Sequence, residues 1–190
     1  MSRLVLASTS PYRRSMLERL GIPFETVAPD IDETPHANER PQALARRLSQ
    51  QKARAVTTQF PQHLIIGSDQ TACLDGKILG KPGNLERAVE QLASFSGRTV
   101  EFFSGLCLFN SEHDRVQTDV VITRVHFREL DQANILNYIQ DEPAYDCVGA
   151  FKSEGKGIRL CAKIESDDPN ALIGLPLIRL VDMLRKERLL

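Results

Sequence analysis

The chain has 190 residues, which fits one domain or one domain with two lobes. Its hydrophobic content of 42% and charged content of 26% are those of a soluble globular protein, and its formal net charge is -1. Proteins that bind polymeric nucleic acid usually have an excess of positive charge, which this chain lacks, so such a partner is not expected. The early apolar run, Leu4 to Ala7, is too short for a signal-peptide core or a membrane span, so no membrane partner is expected.

The cysteines are widely spaced and form no C-x-x-C pair, which disfavours a zinc ribbon and a thioredoxin-like site. They are Cys73, Cys107, Cys147 and Cys161. Most lie among apolar neighbours, a pattern typical of reduced core thiols. The sequence therefore predicts a protein of the reducing cytoplasm.

The first strand and helix predict a site for an anion. Arg3 to Ala7 is a strand, and Ser10 and Pro11 begin a helix as its N-cap and first residue. A strand, a serine-rich turn and a helix start together direct free N–H groups at a ligand. Arg13 is electrostatically unfavourable in this first turn, so we interpret it as a phosphate ligand and Arg14 as a solvated surface residue.

Two features of the next stretch leave alternatives open. The loop Pro29 to Arg40 follows a strand and is acidic, so it is either a solvated connection or a source of carboxylates for a metal–phosphate complex. Pro41 to Phe60 is the longest predicted helix, and Lys52 falls among its apolar positions. That lysine either extends along the surface to water or points into a cleft.

The central stretch, His63 to Pro82, has the pattern of short strands and a tight turn. Leu64 to Ile66 reads as a buried strand, which Gly67-Ser68 is predicted to end. A second strand, Thr71 to Leu74, is predicted to form a hairpin with Lys77 to Leu79 through the turn Asp75-Gly76.

Asp69 follows the first of these strands, and Lys81 follows the hairpin. In open α/β sheets, ligands lie outside the carboxyl ends of the strands. An acid at such an end, with a lysine that the hairpin brings near it, is a candidate site for an anionic substrate. The alternative is that Asp69 forms a turn through its own backbone and that Lys81 is part of an ordinary loop.

The second half predicts more helices, a long hairpin and a glycine-rich loop. In chain order these are a helix at Leu85 to Phe95, long strands at Thr99 to Asn110 and Val116 to Glu129, a helix capped by Asp131, the loop Ala150 to Ile158 and a final helix at Leu175 to Leu190. The loop lacks the GxxxxGK[ST] pattern of a P-loop, and its one acid is Glu154. Alternating helices and strands with one long hairpin indicate an α/β fold with a mixed sheet.

Short motifs occur in a characteristic order along the chain. They are LASTSPYRR (Leu6 to Arg14), IDET (Ile31 to Thr34), QKA (Gln51 to Ala53), GSDQ (Gly67 to Gln70), GKP (Gly80 to Pro82), KSEGKGI (Lys152 to Ile158) and GLP (Gly174 to Pro176). The set resembles the Maf family of nucleoside triphosphate pyrophosphatases, and is most similar to the subgroup that hydrolyses 7-methyl-GTP. The resemblance covers essentially the whole chain. Each motif alone is a weak indicator of the family, whereas the ordered set is a strong one.

The resemblance implies a single Maf-like domain over residues 1–190. Its fold would be α/β and related to the inosine triphosphate pyrophosphatases. It would have a mixed twisted sheet, a long antiparallel hairpin crossing two lobes, and an active-site cleft between those lobes. The resemblance also implies a homodimer and a divalent cation (magnesium or manganese, with cobalt as a further candidate). The substrate would be a nucleotide, cleaved between its α- and β-phosphates to a nucleoside monophosphate and pyrophosphate.

The resemblance also assigns roles to matching positions. Asp69 would be the proton acceptor for water, and the triphosphate and metal site would be lined by Ser8, Arg13, Glu33, Lys52 and Lys81. Cations and N–H donors suit a triphosphate, and magnesium takes one or two carboxylates plus phosphate oxygens. Whether Asp69 is a base, a metal ligand or both stays open.

The family's specificity positions match Tyr12, Gln70 and Glu154. The subgroup acting on dTTP and UTP is expected to have Arg, Thr and Gln there, and this chain departs from that pattern at each. N7-methylation gives guanine a positive charge, which an aromatic face and a carboxylate both favour. The alternatives are a dTTP/UTP pyrophosphatase of the same family and a non-catalytic nucleotide-binding regulator of cell division.

Overall fold

The computed structural model describes residues 3–190, and these form five α-helices and one mixed sheet of seven strands. The strands are β1 (Leu4–Ala7), β2 (Phe24–Val27), β3 (Leu64–Leu74), β4 (Lys77–Leu79), β5 (Thr99–Asn110), β6 (Arg115–Phe127) and β7 (Cys161–Ser166). The helices are α1 (Pro11–Glu18), α2 (Pro41–Ala55), α3 (Leu85–Phe95), α4 (Gln132–Asp141) and α5 (Leu177–Lys186). The predicted α/β class with a mixed sheet is confirmed.

The strand order is β2-β1-β3-β5-β6-β7, with β4 paired to β3. Strand β1 runs parallel to both of its neighbours, while β3–β4 and β6–β7 are antiparallel pairs. The four residues of β1 are fully buried, because a parallel strand in the sheet interior has both faces covered. The chain divides into two compact units. Unit 1 comprises the chain to Gln70, Ser104–Val121 and Asp168–Leu190, and unit 2 comprises Thr71–Phe103 and Ile122–Asp167.

Unit 1 has a core on each face of its strands. Leu4 and Leu6 of β1 belong to one buried cluster, which includes Leu17 of α1 and Leu180 of α5. Val5 and Ala7, which point the other way, pack in a second cluster with Ala53 and Val56 of the α2 segment. The alternation along one strand therefore separates an α1/α5 face from an α2 face.

Unit 2 has an aromatic core. The ring of Phe127 lies 5.1 Å from that of Phe95 and 5.3 Å from that of Phe151, between centroids. Phe102 lies 6.1 Å from Phe151. Tilted and edge-on rings at these separations stabilise a core beyond the area they bury.

The predicted break at Gly67-Ser68 is wrong, because β3 continues from Leu64 to Leu74. Gly67 has a packing role instead. A Cβ at this position would overlap the main-chain carbonyl of Ser49 in α2, and one at Gly105 of β5 would overlap that of Ala45. The two glycines therefore let the backbone of α2 lie directly against neighbouring strands.

Other boundaries differ by a few residues. Helix α2 ends at Ala55 rather than Phe60, and the final helix begins at Leu177. Strand β7 was not predicted; its middle residues are exposed and its pattern is mixed. The turn Asp75-Gly76 has φ of +48° and +81°, as a type I′ turn requires.

The cysteines are free thiols. Burial raises the pKa of Cys107 to about 12 and that of Cys161 to about 11, so both stay protonated and unreactive near neutral pH. Among residues 3–190, the helices are each too short or too polar to cross a bilayer.

Candidate active site

Strand β3 presents different side chains to the two faces of unit 1. Asp69 points to the α2 face, like Gly67, while Ser68 and Gln70 point to the opposite face. Asp69 therefore lies inside a continuous strand, and the prediction that it follows the end of a strand is wrong. It is 7% exposed.

Lys52 of α2 is the partner of Asp69. Its Nζ lies 2.6 Å from Oδ1 of Asp69 and 2.7 Å from Oε1 of Glu33. Lys52 is 6% exposed, so it does not extend to water but points at the two carboxylates. A buried charge is tolerated when it is paired in this way, and removing one partner of such a pair is costly.

The close packing of α2 on β3 makes this pairing possible. Lys52 lies one turn from Ser49, whose carbonyl occupies the space a side chain at Gly67 would fill. Asp69 is two residues beyond Gly67 on the same face of the strand. Because the helix backbone approaches this closely, the lysine reaches the aspartate and is enclosed by the interface.

The acidic loop that carries Glu33 is held by a second ion pair. Arg47 of α2 donates from Nε and Nη2 to the two oxygens of Glu39, each at 2.8 Å, and from Nη2 to the carbonyl of Thr34 at 3.0 Å. The hydrogen bonds from Arg47 hold the pKa of Glu39 down to about 2. Of the alternatives for this loop, the structure favours the one that brings a carboxylate, Glu33, to a charged cluster.

Helix α1 begins as the sequence predicted. The Oγ of the N-cap Ser10 accepts a hydrogen bond from the main-chain N–H of Arg13, and Ser8 Oγ accepts one from the N–H of Ser10 at 3.1 Å. The Arg13 side chain donates from Nη1 to Ser8 Oγ at 3.5 Å. Burial lowers the pKa of Arg13, and the negative charges of Asp69 and Glu33 act against that shift. The carboxylates that pair with Lys52 thus also act on Arg13 through their charge.

The turn Ala171–Gly174 receives hydrogen bonds from the opposite face of β3. Gln70 Nε2 donates to the carbonyls of Ala171 and Leu172, and Ser68 Oγ lies 2.9 Å from that of Gly174. Arg13 Nε donates to the same Gly174 carbonyl at 2.9 Å. These bonds join the turn to the start of α1.

Unit 2 contains two of the predicted site residues. Lys81 is exposed and follows β4, and Glu154 is exposed within the glycine-rich loop. The Oε2 of Glu142, just after α4, accepts a hydrogen bond from the main-chain N–H of Lys156 at 2.5 Å. A Cβ at Gly155 would overlap the Glu142 carboxylate. Glu142 therefore holds the backbone next to Glu154.

The predicted residues thus fall into two groups. Unit 1 brings together Ser8, Arg13, Glu33, Lys52 and Asp69, and also contains Tyr12, half-buried in the first turn of α1, and Gln70. Unit 2 contains Lys81 and Glu154.

Sequence reasoning missed Ser68, Ser104 and the Arg47–Glu39 pair. Ser104 Oγ donates to the Ala171 carbonyl at 2.6 Å and is fully buried. Had β3 been recognised as continuous, the i, i+2 spacing of Ser68 and Gln70 would have placed both on one face. The Arg47–Glu39 pair spans a loop and a helix, and neither element shows a pattern that predicts it.

Comparison with known proteins gives three findings. Residues 3–187 match the family described as Maf-like protein. A protein of Colwellia psychrerythraea named 7-methyl-GTP pyrophosphatase is 52% identical over 186 residues, which are 98% of this chain and 93% of that protein. A Pseudomonas aeruginosa protein of the same name is 53% identical over 187 residues, covering 98% and 97%. A solved structure from Vibrio cholerae has a TM-score of 0.42 at 10% identity, covering 97% and 98% of the two chains, a likeness too distant to carry an argument.

Proposed function

Because the chain belongs to the Maf family, we propose that it is a nucleoside triphosphate pyrophosphatase that converts 7-methyl-GTP to 7-methyl-GMP and pyrophosphate. The observation that carries the proposal is the buried pair of Lys52 and Asp69, which the exposed carboxylate of Glu33 joins and whose charges act on Arg13. Cations and carboxylates close to one another suit a polyanion that arrives with a metal ion. The names of two relatives with about half of their residues identical support the choice of substrate.

Each group in unit 1 has a distinct role in the proposal. Water attacks the α-phosphorus, the bond to the α–β bridging oxygen breaks, and that oxygen leaves with its electron pair on pyrophosphate. Asp69 orients the water and accepts its proton. Arg13 and Lys52 neutralise the charge of the triphosphate, and Ser8 holds the Arg13 side chain at 3.5 Å.

The residues fit a hard divalent cation such as magnesium or manganese. Lys52 Nζ contacts Oε1 of Glu33 and Oδ1 of Asp69, so the two carboxylates already lie around one positive charge. Within residues 3–190, no group of three or more His, Cys, Asp or Glu side chains could hold a metal. Two carboxylates with substrate oxygens and waters form the kind of set that magnesium uses with phosphate substrates. The ion would supply charge neutralisation and lower the pKa of a bound water.

Lys81, Glu154, Tyr12 and Gln70 enter the proposal through their motifs. We assign Lys81 to the triphosphate and Tyr12 and Glu154 to contacts with the base; Gln70, the third predicted specificity position, has its amide bound to the Ala171–Gly174 turn. The exposed carboxylate of Glu154 is suited to accept hydrogen bonds from N1–H and N2–H of guanine and to oppose the charge of a methylated ring. The half-buried ring of Tyr12 is suited to stack on that cationic ring.

The main experiment is a substrate panel. Pyrophosphate release is measured with excess magnesium from 7-methyl-GTP, GTP, dTTP, UTP and ATP. The proposal expects the highest kcat/KM for 7-methyl-GTP, and a loss of about 10²- to 10⁴-fold in Asp69→Asn, as for removal of a general base. Preference for dTTP or UTP would identify the family's other activity. Binding of a nucleotide without release of pyrophosphate would indicate a regulator.

A second experiment tests the charge argument for the base. Catalytic efficiencies on 7-methyl-GTP and GTP are compared for wild type and Glu154→Gln, which keeps the shape of the side chain and removes its charge. The preference for the methylated base should fall by about tenfold, the value of one charge-assisted hydrogen bond. An unchanged preference refutes the role of the Glu154 charge.

We also propose that the protein works in the cytoplasm as a homodimer. Support for a reducing compartment comes from the four free cysteines among residues 3–190. Sedimentation equilibrium at micromolar concentration decides the oligomeric state; a mass near 21.3 kDa would contradict the dimer.

A further inference from the structure

The Ala171–Gly174 turn is largely buried, and side chains of two neighbouring strands bind its carbonyls. Gln70 Nε2 donates to the carbonyls of Ala171 at 3.1 Å and Leu172 at 2.9 Å. Ser104 Oγ donates to the Ala171 carbonyl as well, at 2.6 Å. Because Ala171 and Leu172 are buried, their carbonyls take hydrogen bonds from the protein instead of water, and these bonds fix the turn on β3 and β5.

The orientation of the Gln70 amide follows from its partners. Carbonyl oxygens only accept hydrogen bonds, so the nitrogen end of the amide must face the turn. An amide nitrogen has two hydrogens, and three acceptors within the protein compete for them: the carbonyls of Ala171 and Leu172 and, at 3.2 Å, Ser104 Oγ. The nitrogen therefore has no hydrogen left for the O6 acceptor of a guanine base, and this weakens any direct reading of that atom by Gln70.

The same turn ends in the carbonyl that holds Arg13. Gly174 has φ of +119°, a backbone conformation that favours glycine, and its carbonyl accepts a hydrogen bond from Arg13 Nε at 2.9 Å. Holding Nε fixes the plane of the guanidinium, so that its terminal nitrogens are already oriented for an anion. Such pre-organisation lowers the cost of binding.

We infer that Gln70 and Ser104 are positioning residues for Arg13. They fix the turn whose last carbonyl orients the guanidinium, so Gln70 acts on the triphosphate end of the substrate through the turn. This inference rests on the proposed function, because it takes Arg13 as a ligand of the triphosphate. It gives a role to the GLP motif, Gly174 to Pro176, which the proposed reaction leaves without one.

The test uses inorganic tripolyphosphate with magnesium, a probe that has no base and requires no turnover. Its affinity is measured by calorimetry for wild type, Gln70→Met, which keeps the volume of the side chain, and Ser104→Ala. We expect a weakening of about threefold to tenfold in each, the range for one oriented hydrogen bond. Unchanged affinity in both variants, with melting temperatures near that of wild type, overturns the inference.

A double-mutant cycle separates positioning from a general loss of structure. Combined with Arg13→Ala, the Gln70 and Ser104 substitutions should have almost no further effect on tripolyphosphate affinity, because the group they orient is gone. Additive effects in the cycle overturn the inference. Ser111→Ala is the matched control: it removes a hydroxyl just after β5 that hydrogen-bonds to the main chain of Phe60 and His63. Its affinity for tripolyphosphate should equal that of wild type.

A kinetic comparison tests whether Gln70 reads the base instead. Both variants should keep the wild-type ratio of kcat/KM for 7-methyl-GTP over GTP. A ratio that falls in Gln70→Met alone, with tripolyphosphate affinity unchanged, overturns the inference in favour of base reading. A wild-type protein that binds tripolyphosphate but hydrolyses no nucleotide refutes the proposed function, while the binding cycle still decides the role of Gln70.

Discussion

The predicted phosphate-end residues of unit 1 and the loop of Glu154 in unit 2 are built in different ways. Lys52 and Asp69 are buried on facing elements and pair directly. Glu154 is exposed, and its loop is attached to α4 through the main chain. Rigid burial suits a triphosphate, which every nucleotide shares, whereas an exposed side chain on a tethered loop suits the part of the substrate that varies. We therefore expect mutations in unit 1 to alter stability and rate, and mutations near Glu154 to alter selectivity.

Removing the cation of the buried cluster should have the largest effect on stability. Lys52→Met leaves the carboxylate of Asp69 buried beside Glu33 without its counter-charge, which costs about 3–5 kcal/mol in the free energy of unfolding. Urea denaturation measures this loss. The double variant Lys52→Met/Asp69→Asn should recover more than half of it, since the unpaired charge is then gone. A loss below about 1 kcal/mol in the single variant would contradict the buried pairing.

A methyl group at Gly67 should have the next largest effect. Gly67→Ala forces α2 away from β3, because the new Cβ overlaps the Ser49 carbonyl, and overpacking of this kind costs about 1–3 kcal/mol. The displaced helix also carries Lys52, so pyrophosphate release should fall together with stability.

Gly80→Ala is the control, since a Cβ there has no heavy atom within 4 Å. Its free energy of unfolding should stay within about 0.5 kcal/mol of wild type. A loss at Gly67 no larger than that at Gly80 would contradict the role of Gly67 in the close approach of α2.

In unit 2 we expect a substitution to have a smaller effect on stability and a measurable effect on substrate selectivity. Glu142→Ala removes the acceptor for the Lys156 N–H and should cost about 1 kcal/mol. The released loop should lower the preference for 7-methyl-GTP over GTP by about threefold, measured as a ratio of kcat/KM. Asp141→Ala is the control, because it removes exposed ion pairs to Lys156 and Arg159, which are worth little. A Glu142→Ala variant with wild-type selectivity would refute the role of the hydrogen bond between Glu142 and the Lys156 N–H.

The smallest effect is expected at Glu39, whose pair with Arg47 holds the acidic loop. The folded pKa of Glu39, about 2, lies below its ordinary value of 4.5, so the pair stabilises the fold fully above about pH 4.5 and the stabilisation is lost as pH falls toward 2. Glu39→Gln should cost about 1 kcal/mol at neutral pH, and the difference from wild type should shrink below about pH 4.5. Urea denaturation across this pH range checks the shape of the curve. A difference that does not depend on pH would contradict it.

Local signals in the sequence predicted local structure well. Ser10 and Asp131 cap α1 and α4 as expected, and α3 has the predicted bounds, Leu85–Phe95. Caps and tight turns depend on residues within a few positions of one another, so the sequence contains the information in readable form. The positions of the strands other than β7 could be predicted from local patterns of the same kind, whereas their order in the sheet was not predicted.

What failed depended on contacts between distant segments. Gly67-Ser68 has the composition of a turn, yet Gly67 lies in a strand because a helix 14 to 18 residues earlier packs on it, at Ser49 and Ala53. The pattern around Lys52 showed that it shares a face with apolar residues but not what faces it. Its partners, Glu33 and Asp69, come from a loop and a strand that only the fold brings together.

Gly67 and Gly105 also limit how this protein can be stabilised. Replacing glycine by alanine in regular structure often raises stability, because the unfolded chain loses conformational freedom. At Gly67 and Gly105 steric overlap outweighs that entropic gain, since the folded state has no room for a methyl group under α2. Efforts to raise the melting temperature should therefore leave these glycines unchanged and begin at positions such as Gly80, where the space is open.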